Sequence, residues 1–185
     1  MAGRAGRERG RAGWLASGIL VVAAATSPPA HAQDGREGRP GHLRATDGQA
    51  ARLLAAGTAR SATIRGLVAT LERSDLIVYI QTGQLAIPGH TAFLAAAPGA
   101  RLVRITISDA PDMEDRRLAW LGHELQHAVE VASNPTIVSA AAMRRFLREQ
   151  GFQVSETVYC TKAAQDVTRA VGYEVATNRP HGRRP

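Results

Sequence analysis

The run His123-Glu124-Leu125-Gln126-His127 holds the residue types and spacing that could do chemistry in this sequence. On a helix, residues four apart lie on one face, one turn apart. Two imidazoles so placed can aim nitrogens at a single point about 2 Å from each, the length of a zinc–nitrogen bond. A glutamate directly after the first histidine sits beside that face, where it can reach a metal-bound water and take its proton. The spacing therefore predicts His123 and His127 as ligands of one zinc ion (Zn2+) and Glu124 as the general base of a hydrolase. From Trp120 to Val129 the only acidic or basic side chain besides the histidines is Glu124, as expected of a helix that passes through a core.

A catalytic zinc keeps a third protein ligand and leaves one position for water. Glu156 is the leading candidate. Cys160, Ala163, Val167 and Val171 recur at helical spacing, and extending that stripe backwards lands on Glu156. A carboxylate on a buried face needs a strong partner, and zinc would be one. The alternative is an ordinary first-turn acid stabilised by the helix dipole. Glu130 lies about 10 Å along the helix axis from His123, too far for easy convergence on one ion. It reads better as a partner for a histidine N–H, with ligation as its other reading. Glu149, Glu174 and His90 are weaker candidates. Tyr159, three residues after Glu156, could donate to an oxyanion or simply fill core. Cys160, the sole cysteine, excludes an intrachain disulfide and a cysteine-rich zinc site. It reads as a small buried apolar residue, with pairing between chains as the alternative.

The elements that must position these groups are legible from caps and periodicity. Asp47 is expected to cap a helix through Ala56 that Gly57 ends. Ser61 is expected to cap a second, Ala62 to Arg73, with Ile64, Leu67, Val68 and Leu71 on one face. The β-branched run from Asp75 to Gln81 reads as a buried strand. Thr91–Ala96 and Arg101–Ser108 read as strands joined across Pro98-Gly99. Val103, Ile105 and Ile107 alternate with polar residues, which suits a half-buried strand at a sheet edge. Asp112 is expected to cap the helix that carries the histidines to about Ala132, stopped by Asn134-Pro135. Ser139–Gln150 reads as the next helix, with Gly151 after it. Ser155 is expected to cap a last helix that runs to about Val171 and ends at Gly172. The fold class is α+β: two N-terminal helices, a small, mostly antiparallel sheet of about three strands, the histidine helix and two further helices.

Composition bounds the rest. With 185 residues, 44% hydrophobic and 21% charged, the chain suits one domain with a modest core. Arg4, Arg7, Arg9 and Arg11, the apolar stretch Trp14–Thr26 and Ala30-His31-Ala32 form the pattern of a secretory signal peptide over residues 1–32. Its apolar stretch is too short for a spanning helix, and no later segment is long and apolar enough to span. Residues 33–45 read as a flexible leader, 46–175 as the single domain and 176–185 as a disordered basic tail. The formal charge of +7 sits mostly in the two termini. The near-neutral body carries no broad footprint for nucleic acid.

His123, Glu124, His127 and Glu156 resemble the zincin metallopeptidases in their gluzincin pattern, HExxH on one helix and a glutamate ligand from a later one. Leu121–Ala132, Asn134-Pro135, a Met-containing helix, Ser155-Glu156-Thr157 and the upstream Glu72–Tyr79 are similar to a group of small exported bacterial proteins. The resemblance implies a zincin-like fold and zinc peptidase activity outside the cytoplasm, periplasmic or secreted, on a peptide or protein substrate. It leaves the oligomeric state open. The sequence departs from the pattern at Cys160, near where gluzincins place a second acid. The chain is also short, which leaves little to build a deep cleft. In the expected reaction the strand Arg101–Ser108 would pair with an extended peptide. The rival reading is a zincin-like shell that binds metal or peptide without turnover.

Overall fold

A computed structural model describes residues 41–110, 114–155 and 158–178. The expected signal segment, most of the leader, Asp112, Glu156 and the tail beyond Asn178 lie outside the described residues. The capping residues open the helices. The Asp47 carboxylate accepts from the backbone N–H groups of Gln49 and Ala50, starting α1 (Gly48–Arg60). Ser61 Oγ accepts from Ile64 N, starting α2 (Ala62–Leu71). Each satisfies donors that a helix start leaves orphaned. Gly57 does not end α1. It lies inside it, buried against α2, where a Cβ would come within 2.9 Å of Ile64 Cδ1.

The sheet has four strands, β1 (Leu43–Ala45), β2 (Leu76–Gly83), β3 (Gly89–Ala97) and β4 (Ala100–Ser108), in the order β1-β2-β4-β3. It is mixed, against the expectation of three mostly antiparallel strands. β1 and β2 are parallel because α1 and α2 form the crossover between them, and β2 and β4 are parallel because β3 is inserted in the chain between them. Within this sheet, β3 and β4 form a hairpin through Pro98 and Gly99, whose φ of +79° favours glycine. β4 is therefore interior, and β3 is the outer strand. β1 falls within the stretch expected to be a flexible leader. Three pairs to β2 hold it, and the Glu72 carboxylate accepts from the His42 and Leu43 N–H groups.

One face of the sheet carries Val78, Ile80, Phe93, Val103, Ile105 and Ile107, all buried. They join Leu118, Leu121, Leu125 and Val131 of α3 (Glu114–Ser133) in one core. Burial of each such side chain stabilises the fold by about 1.5–3 kcal/mol. α4 (Ala140–Gln150) follows, capped by Ser139 Oγ. The last helix does not start at Ser155. β5 (Phe152–Ser155) pairs antiparallel with β6 (Val158–Cys160), and α5 (Lys162–Thr177) starts after them with Thr161 as its cap. α5 continues through Gly172. Its buried stripe is Ala164, Val171 and Val175, so the stripe drawn through Cys160 and Ala163 back to Glu156 does not exist.

Arg101 fixes the far end of α3 to the sheet. Its buried guanidinium makes a two-armed pair with Asp75 at 2.7 and 2.8 Å. It also donates to the carbonyls of Val131, Ala132, Asn134 and Ile137. Val131 and Ala132 lie in the last turn of α3, where carbonyls run short of helical donors, and Asn134 and Ile137 follow in the chain that leaves it. Arg101→Ala should therefore cost on the order of 3 kcal/mol, read as a lower urea midpoint; a loss below about 1 kcal/mol would contradict the clamp. The hydrogen bond from Arg101 is the main cause that holds the Asp75 carboxyl below its ordinary 3.8. A depressed carboxyl stabilises above its unfolded pKa, so this contribution is complete near neutral pH. It fades as the pH falls below about 4.

Candidate metal centre

α3 carries His123, Glu124 and His127 into the core; all three are more than nine-tenths buried. Gly122 explains how α5 reaches them. A Cβ at Gly122 would lie 2.7 Å from Val171 Cγ2, so the two helices touch at the residue before His123.

Each imidazole has its Nδ1 held by a residue behind it. His123 Nδ1 lies 2.8 Å from Thr168 Oγ1, whose own proton goes to the Ala164 carbonyl at 2.9 Å. The threonine therefore accepts, His123 carries its proton on Nδ1, and Nε2 presents a lone pair. His127 Nδ1 donates to Glu130 Oε2 at 2.8 Å. Glu130 Oε1 accepts in turn from Thr161 Oγ1, which also caps α5 by accepting from Ala164 N. This is the outer-partner arrangement that fixes the tautomers of metal-binding histidines. Glu130 thus sits behind His127.

The third donor is Cys160. Its sulfur lies 3.7 Å from His123 Nε2, and the donor atoms of His123, His127 and Cys160 all fall within 4.8 Å of one another. With zinc–nitrogen bonds of about 2.05 Å and a zinc–sulfur bond of 2.3 Å, a tetrahedron has an N···S edge of about 3.6 Å. The His123–Cys160 spacing matches that edge. This buried group could bind a metal ion. Cys160 is buried, as expected, but its sulfur faces the imidazoles instead of apolar neighbours alone. The pairing of β6 with β5 brings Cys160 in. The one sequence clue was the thiol standing near the place where the gluzincin pattern has an acid.

The charges follow from burial and neighbours. Burial, helped by the nearby His127, pushes His123 down to about 4, so it is neutral at pH 7. Burial opposes charge on His127 as well. Hydrogen bonds to Cys160 and Glu130 and the field of Glu124 outweigh it and raise His127 to about 9. Metal uptake would displace that proton. Burial raises Glu124, partly offset by His127 and by Thr91. Thr91 Oγ1 lies 2.7 Å from Glu124 Oε2, and a Cβ on Gly89 would come within 2.8 Å of Glu124 Oε1. β3 therefore cradles the carboxylate. A buried carboxyl with a raised pKa is suited to accept a proton.

The group lies in the wall of a cleft of about 950 Å³, at the upper end of the size range for ligand sites. Residues 89–93 of β3 line one side, and α4, α5 and the β5–β6 hairpin line the others. The short chain does build a cleft, because the hairpin and α4 extend its walls. Tyr159 is half-buried in that lining beside Cys160, and His90 stands exposed on β3. Glu149 is exposed on α4. Glu174 lies elsewhere, accepting from Ser61 Oγ and from Thr63 at the start of α2.

No family model matches the chain, and neither the curated proteins nor the solved structures give a match.

Proposed function

We propose that the chain is a zinc-dependent hydrolase that cuts peptide bonds, with zinc held by His123, His127 and Cys160 and with Glu124 as general base. The convergence of one thiol and two oriented imidazoles beside a buried carboxylate carries this reading. Two nitrogens and a sulfur suit zinc, and three protein donors leave a position for water. Zinc bound there would polarise a scissile carbonyl and acidify a water molecule.

Glu124 takes the proton of the attacking water and passes it to the leaving amine. Thr91 and Gly89 hold its carboxylate in place meanwhile. The outer strand β3 replaces Arg101–Ser108 as the strand that aligns substrate. Its outer edge, which no strand among the described residues pairs, can add an extended peptide by main-chain hydrogen bonds, and its residues 89–93 line the cleft. We place the activity outside the cytoplasm, on the strength of the arginine-rich and apolar pattern of residues 1–32. Among the described residues no helix is long and apolar enough to cross a membrane.

The test is cleavage of a quenched-fluorescent peptide library by the zinc-loaded protein, measured with and without a chelator. Cleavage should stop with the chelator and return with added zinc. A protein that holds one zinc per chain yet cleaves no peptide would sink the hydrolase reading.

A further inference from the structure

Two arginines of α4, Arg144 and Arg148, line the apolar cleft. α4 presents Ala140, Met143, Arg144, Leu147 and Arg148 to it, a single face at spacings of three and four residues. Met143 is buried, while both arginines are exposed. Like charges four apart on a helix repel by several tenths of a kcal/mol. Arg148 recovers some of this from the helix C-terminus, but Arg144 sits in mid-helix.

Three other arginines are paired with acids: Arg60 with Glu114 and Asp115, Arg101 with Asp75, and Arg169 with Asp166. What sets Arg144 and Arg148 apart is their place in the lining of the cleft. Arg144 and Arg148 have no such partner among the described residues. Glu149 is spaced to favour Arg145 instead, four residues before it. The one carboxylate among the described cleft residues is Glu124, which is buried and held by Thr91. Low-dielectric walls bearing charge of one sign concentrate a field that draws the opposite charge.

We propose that Arg144 and Arg148 select peptides that carry a carboxylate beside an apolar residue. The carboxylate comes from an acidic side chain or from a free C-terminus. Met143, Leu147 and Trp120 supply the apolar contact, and the guanidinium forks receive the carboxylate through paired N–H···O bonds. This rests on the cleft being the substrate site of the proposed hydrolase.

Binding tests it without turnover. Zinc-loaded Glu124→Gln protein is titrated into fluorescein-labelled hexapeptides with a central Leu flanked by Glu, Gln or Lys, each as free acid and as amide, and anisotropy is read. A carboxylate, in the side chain or at the terminus, should tighten binding about tenfold. The gap should shrink below about twofold when Arg144→Gln and Arg148→Gln are added. Circular dichroism and zinc content confirm that this variant is folded and loaded. A gap for Glu over Gln assigns the side chain, and a gap for acid over amide assigns the terminus. Equal binding of all peptides, no binding, or a gap that survives in the variant overturns the proposal. Selective binding without cleavage by the wild-type protein would instead sink the hydrolase reading alone.

Discussion

Cys160→Ser should strip the metal from the protein. A neutral hydroxyl is a far poorer zinc donor than a thiolate. Losing an outer partner alone typically costs 10–100-fold in metal affinity, so losing one of three direct ligands should cost more than about a hundredfold. Zinc per chain, measured after gel filtration against a competing chelator, should fall from one to near zero. Cobalt offers a second readout: the wild-type protein should show a sulfur-to-cobalt charge-transfer band, and Cys160→Ser should lack it. Glu156→Gln is the deciding control. If the carboxylate rather than the thiol were the third ligand, that variant would lose the metal and Cys160→Ser would keep it with an unchanged spectrum.

The contrast between these residues shows what a sequence makes legible. His123 and His127 are four apart on one helix, so their convergence is local geometry. The caps at Asp47, Ser61 and Ser139 are equally local, each a side-chain oxygen meeting N–H groups two or three residues on. Cys160 lies 37 positions from His123, and nothing local says that a strand end will deliver its sulfur there. Ser155 and Thr161 are both cap-type residues. The short apolar positions between them fit a strand or a helix equally well, the ambiguity expected of short runs. The fold resolves it by pairing β5 with β6. Thr161 then serves twice, capping the start of α5 and donating to the Glu130 that holds His127 Nδ1.

The sheet shows the same division. The strand content of β2, β3 and β4 was readable from β-branched runs. Their order was not, because β4's place between β2 and β3 is a matter of long-range pairing. Edge identity bears on the proposed substrate alignment, since the outer strand next to Glu124 is β3.

Glu124→Gln should abolish hydrolysis and leave the metal in place. The amide has nearly the shape of the carboxylate, and its oxygen can still accept from Thr91 Oγ1, so the packing against Gly89 survives. It cannot take a proton from water. Positioned general-base catalysis is worth about 10²–10⁴-fold, and kcat on the best library peptide should fall by that amount with zinc per chain unchanged. The buried setting sharpens the expectation. Burial raises the carboxyl of Glu124, which makes it a better proton acceptor, and no other carboxylate among the described residues lines the cleft to take over the role. Full activity in this variant, with zinc bound, would remove Glu124 from the chemistry and leave His123, His127 and Cys160 as a site that binds metal without a base beside it.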